Sequence, residues 1–133
     1  MSDMFGALGI AASGMAAERL RLDVTSANLA NANTTRGTDG KPYVRQEVAL
    51  QAGGVATFSN VLTGVQVAGI VNDPSPPRRV YEPNHPDADK NGYVSLPNVN
   101  SVTEMTANAV QYEALAAVQK ARFGWLRTAM GGS

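Results

Sequence analysis

The side chains best suited to chemistry in this sequence lie in Asp87-Ala-Asp-Lys-Asn-Gly92. Oxygen ligands at the first, third and fifth places, with glycine at the sixth, match the opening half of an EF-hand calcium loop. The match stops there. The ninth place is Ser95, the twelfth is Asn98 where a bidentate Glu is needed, and Pro83 and Pro86 rule out an entering helix. The segment reads better as an Asp/Asn/Gly turn feeding a strand, Tyr93-Val-Ser-Leu96. His85, the single histidine, has no Ser, Cys or second acid beside it in a nucleophile signature, and reads as an exposed loop residue. Asn33-Thr-Thr35 has the form of a glycosylation acceptor, a tripeptide that arises often by chance. No glycine-rich phosphate loop or zincin motif occurs. The absence of cysteine excludes thiolate zinc sites and disulfide scaffolds. The sequence therefore predicts no catalytic residue, no cofactor and no metal site.

Composition points the same way. The 133 residues suffice for one domain, and 44% hydrophobic with 17% charged residues suits a chain that folds or associates. Eleven basic residues balance eleven acidic ones, and the one Arg pair, Arg78-Arg79, is isolated, so no nucleic-acid footprint is expected. No apolar run reaches the roughly 18–20 residues that span a bilayer. The N-terminal stretch lacks a basic n-region and is interrupted by Gly6, Gly9 and Gly14, so no cleaved signal peptide is expected.

The elements that would position any site are two long helices around an irregular middle. Val102, Met105, Ala109, Tyr112, Ala116, Gln119, Phe123, Leu126 and Met130 alternate three and four residues apart, an a/d stripe in which Gln119 is the one strongly polar member. Ser101-Val-Thr-Glu104 has the form of a capping box and Gly131-Gly132 that of a stop. Near the N-terminus, Leu8, Met15, Leu22 and Leu29 recur every seven residues, with small or polar residues between them. A helix from about residue 4 to 32 is predicted, and it needs a partner because three interior glycines weaken it. The two helices pair best as an elongated coiled-coil hairpin; an ordinary amphipathic helix with a wide core face fits the C-terminal spacing too.

Between them the texture is extended. Tyr43–Leu50 alternates, Val65–Val71 reads as a second strand, Arg79–Tyr81 as a third, and Gly53-Gly54 and the prolines from 74 to 97 punctuate them. The predicted fold is mainly α with a small β insert. Residues 1–33 form the N-terminal helix, 34–100 a β-rich hairpin or meander with extended arms, and 101–133 the C-terminal helix.

Particular residues carry a family resemblance. Ala12-Ser-Gly-Met-Ala-Ala17, Leu20-Arg-Leu-Asp-Val24 and Ala27-Asn-Leu-Ala-Asn-Ala-Asn-Thr-Thr35 resemble the N-terminal signature of flagellar rod and hook proteins. Asn33-Thr-Thr-Arg36 running on to Pro42-Tyr43, Val80-Tyr-Glu-Pro-Asn-His-Pro-Asp-Ala-Asp89 leading into Asn91-Gly-Tyr-Val94, and Pro97-Asn-Val-Asn100 are similar to the C-type proximal-rod subunits. After Met105 the tail, with Asn108–Leu115 and Phe123–Met130, is closer to B-type subunits.

The resemblance implies a non-enzymatic subunit of the proximal rod, exported through the flagellar type III apparatus and placed in the periplasm. Its implied partners are B-, F- and G-type rod subunits, the export and MS-ring base, and copies of itself. Its site residues are then an assembly interface: Leu8, Met15, Leu22 and Leu29 against Met105, Tyr112, Phe123 and Leu126, with Asn28 and Asn31 satisfying polar groups between packed subunits. A soluble coiled-coil adaptor outside any filament is the alternative from another class. An enzyme or calcium sensor centred on residues 83–95 is a further one.

Overall fold

A computed structural model describes residues 2–56 and 61–131. Helix α1 runs Ser2–Ala30 and helix α2 runs Ser101–Ala129, each of 29 residues and so roughly 43 Å long. Between them lie β1 (Gln46–Ala56), β2 (Val61–Asn72), β3 (Arg78–Tyr81) and β4 (Tyr93–Leu96). The strands form two separate antiparallel pairs, β1 with β2 and β3 with β4. The helices pack on each other, and α1 also packs on both strands of the β1–β2 hairpin. The expected architecture of two long terminal helices in contact, with small sheets between, is what forms. No helix among the described residues is long and apolar enough to cross a membrane.

Local chemistry explains most boundaries. At the end of α1 the Asn31 side chain donates to the Ala27 carbonyl at 2.9 Å and accepts from the Thr34 hydroxyl at 3.2 Å, closing the last turn. Gly40, at φ +78°, then takes a left-handed turn position that L-residues with a Cβ disfavour. Helix α2 begins one residue earlier than the expected capping box. Asn100 is its N-cap, accepting from the amides of Val102 at 3.1 Å and Thr103 at 3.2 Å. Glu104 therefore does not reach back to the cap, because its carboxylate is engaged elsewhere. Gly131, at φ +75°, follows the last turn as the expected stop; Gly132 lies outside the described residues.

Gly53 and Gly54, expected to punctuate the strands, lie inside β1, which continues to Ala56. A Cβ on Gly53 would fall 2.7 Å from the Gln66 Cβ, so glycine here admits the close approach of the paired strand rather than a turn. In the smaller sheet, Tyr81 and Tyr93 pack edge to face with ring centroids 5.3 Å apart, and the Arg79 guanidinium lies 5.0 Å from the Tyr93 centroid.

Among the described residues the buried set is small. Met15, Ala17, Val24, Ala32, Val94, Pro97 and Val99 form its apolar part, alongside the polar Thr25, Asn28, Glu104 and Gln111. A core with so few large apolar side chains depends on how those polar groups are satisfied.

Candidate assembly interface

Three strictly polar contacts join the helices and the hairpin at one end of the pair. Asn28, 1% exposed, accepts from the Gln46 amide at 2.9 Å and from the Tyr43 hydroxyl at 2.9 Å, and donates to the Gln46 carbonyl at 2.8 Å. Its carboxamide pairs with the edge of β1 as another strand's peptide group would. Thr25 donates to the Gln111 side chain at 3.0 Å, and Asn108 donates to the Ser26 hydroxyl at 2.9 Å, tying α1 to α2. Farther along α1, the Ser13 hydroxyl accepts from the Val65 amide at 3.2 Å, a second fastening of helix to hairpin.

Arg45 is the hub of the charged contacts. Its Nε donates to Glu104 at 2.5 Å, and its Nη1 donates to Glu47 and, at 3.4 Å, to Asp73. Glu104 is 2% exposed, so one guanidinium neutralises a carboxylate that water does not reach. Burial works against the Arg45 charge, but the hydrogen bonds and charges of Glu104 and Glu47 outweigh it and raise its pKa. Burial, reinforced by the Glu104 carboxylate, pushes the Tyr43 phenol up as well. A cleft of about 290 Å³ beside this hub is lined by Arg21, Thr25, Asn28, Glu47, Glu104 and Gln111 among others. No nucleophile is paired with a base there, and both of its acids serve structural contacts.

The residues expected at the assembly interface divide into two groups. Met15 is buried and Leu8, Leu22 and Leu29 are half-buried, so this row of α1 turns inward. The row expected opposite them turns outward. Met105 is 58%, Tyr112 65% and Phe123 63% exposed, and Leu126 lies at the margin. The α2 row nearest α1 is instead Glu104, Asn108 and Gln111, continued by the half-buried Leu115 and Val118. Within the single chain the two apolar rows therefore do not face each other. The physical reason is that α1 offers Thr25 and Ser26 at the contact while the segment leading into β1 delivers Arg45, so α2 presents acceptors and donors there. Leu29 and Met105 still meet across a groove that Ser26, Ala30, Asn108 and Ala109 also line.

Asn28 and Asn31, expected to satisfy groups between subunits, have their partners inside the chain. Sequence reasoning missed Arg45, Glu104, Thr25 and Gln111. The available signal was a second three-four row on α2, running through 104, 108, 111, 115 and 118, whose polarity hid it.

The acidic turn is also structural. Asp87 accepts from Thr35 at 2.7 Å and from Arg36, and these with His85 nearby hold its carboxyl below the usual range. Asp89 is held low by the amides of Tyr93 and Asn91, at 2.9 and 2.8 Å, and by Arg79. His85, half-buried rather than exposed, accepts from the Asp87 amide through Nδ1 at 3.0 Å. The two carboxylates thus point to different partners. Among the described residues no group of three or more His, Cys, Asp or Glu is placed to hold a metal.

What remains is an uncovered apolar row on α2. Val102, Met105, Tyr112, Phe123 and Met130 are all well exposed, and every described residue from Gln119 onward is exposed. A row of this length is a contact surface in search of a partner.

Comparison with known proteins identifies the family. The family described as "Flagella basal body rod protein" matches residues 8–37. The flagellar basal-body rod protein FlgC of Salmonella typhimurium is 46% identical over 96 residues, covering 72% of this chain and 70% of that protein. FlgC of Borreliella burgdorferi is 40% identical over 117 residues, 77% of each chain. FlgC of Bacillus subtilis is 38% identical over 144 residues, 95% of each. Identity at this level across most of both chains settles the family. The chain belongs to the FlgC family of flagellar basal-body rod proteins.

Proposed function

We propose that this chain is a structural, non-enzymatic subunit of the proximal rod, placed by its outward α2 row against neighbouring subunits. The observation that carries the reading is that row: apolar side chains in a/d spacing, exposed along a helix whose own partner is held by polar contacts. Rod membership supplies the neighbours. By this reading residues 1–33 and 101–133 form the axial core, and the β-rich middle, 34–100, makes lateral contacts. The chain assembles with other rod components; the specific neighbours proposed are B-, F- and G-type subunits, the export and MS-ring base, and further copies of itself. Export through the flagellar type III apparatus delivers it to the periplasm, where the rod transmits torque to the hook.

The test is a protein inventory by mass spectrometry of detergent-purified hook–basal bodies, from cells carrying the natural chain or Phe123→Glu. The natural chain is expected in the rod fraction, and the variant in the export-competent pool but outside the rod. Basal bodies that are intact yet lack the natural chain would overturn the reading.

A further inference from the structure

The β1–β2 hairpin is left open along part of its edge. Asp73 donates its amide to the Arg45 carbonyl at 2.8 Å, which makes Arg45 and Asp73 a hydrogen-bonded pair and their neighbours Gln46 and Asn72 a non-bonded one. The backbone groups of Gln46 accordingly face outward, where Asn28 meets them. Along β2 the same alternation turns Asn72 and Ile70 outward, and past the register shift opposite Ala49 and Leu50 it turns Val67 and Val65 outward. Ser13 meets Val65. Among the described residues, no hydrogen-bond acceptor meets the amide of Val67 or Ile70 from outside the hairpin.

That stretch is bare on its faces as well. Successive residues of a strand point to opposite sides, and Ile70 and Val71 are each 48% exposed, so each side is about half open there. Open edges of this kind are normally guarded by charge or proline. From Val48 to Asn72 there is no Lys, Arg, Asp, Glu or Pro. A hairpin of two strands alone is marginal in water, and a third strand would stabilise it.

The geometry points to strand pairing between copies of this chain: the β2 edge at Val67–Asn72 of one copy takes the β1 edge at Leu50–Gly53 of the next as a third strand. The occupant is argued from charge and symmetry. Both edges are uncharged, so like copies meet without repulsion. The two edges lie on opposite sides of one hairpin, so the pairing runs head to tail. Each added copy then presents a fresh edge, the arrangement that propagates about an axis. Backbone pairing of this kind gives affinity with little demand on side chains. The inference rests on the rod reading above.

Hydrogen exchange on purified hook–basal bodies tests it. In the assembled rod the amides of Val67 and Ile70 are expected to exchange on the order of 100-fold slower than in the free chain. Ile70→Pro removes an outward amide without touching the hairpin ladder, and is expected to keep the monomer's circular dichroism but to lower incorporation. Since the chain has no cysteine, Ala52→Cys and Ile70→Cys, expressed together as single variants and treated with a short bismaleimide, should give a dimer of this chain. Ile70 exchanging as fast in the rod as in the free chain overturns the inference and leaves the rod reading standing. Crosslinks that run solely to a different rod protein overturn the choice of occupant. Basal bodies lacking the chain overturn both readings, and that is known before any exchange is measured.

Discussion

The two ends of helix α2 are built on opposite terms. Near its start, Glu104, Asn108 and Gln111 face partners on α1 and on the segment leading into β1, and the contacts are polar and specific, the Thr25–Gln111 one buried. Past Gln119, the helix carries Phe123, Leu126 and Met130 in open water with no comparable contact. Polar contacts fix one arrangement, because a misplaced buried donor or charge is costly. An apolar row tolerates sliding until a shaped partner arrives. The first end thus defines the subunit, and the second is the end that the proposed reading assigns to its neighbours.

Substitutions separate the two ends. Arg45→Ala should be the most damaging, leaving the Glu104 carboxylate buried and unpaired at a cost of about 3–5 kcal/mol; urea unfolding of the monomer measures it. If Arg45→Ala shifts the midpoint no more than a surface change, the hub is not what holds the base together. Asn28→Ala leaves the Gln46 amide and carbonyl without their partner, and about 2 kcal/mol of destabilisation is expected in the same assay. Faster hydrogen exchange at Gln46 would locate the loss.

Acid probes the loops. Asp73, Asp87 and Asp89 have folded pKa values below their ordinary value, Asp73 through hydrogen bonds from Ser75 and the charge of Arg45. A depressed carboxyl adds stability that is full above the unfolded value of about 3.9 and disappears as pH falls through the folded value. Melting temperature should therefore drop below about pH 4, and Asp87→Asn should make that drop shallower. An unchanged acid limb in the variant would show that the Thr35–Arg36–Asp87 contact contributes nothing to folding. Smallest of all for the monomer is Phe123→Ser, within about 0.5 kcal/mol of the natural chain because the ring is already in water. Its effect should appear only in rod incorporation, and a large monomer destabilisation would mean that the distal row is packed in the free subunit.

The same division explains what was legible in the sequence. The ends of α2 could be read from Gly131 and the Ser101 region, and strands from the alternation in 43–50 and 65–71, because those signals act within a few residues. The Asp/Asn/Gly turn before Tyr93 was legible for the same reason. The inward face of α2 was not. Its row through Glu104 and Gln111 is favoured only because Arg45 and Thr25 arrive from 59 and 86 residues away, and periodicity weighs residue types without knowing their partners. Gly53 misled likewise, since its reason lies on the opposite strand at Gln66.

The fastening of the hairpin at Ser13 and Asn28 has a mechanical consequence. The two points lie 15 residues apart on one helix, roughly 22 Å. A single pin lets an attached arm swivel; two separated pins turn any swivel into opposed forces on both, resisted over that lever length. A swing of the hairpin about an axis across α1 is therefore resisted at both points. One serine hydroxyl and one asparagine amide thus set the angle at which the hairpin sits on the helix.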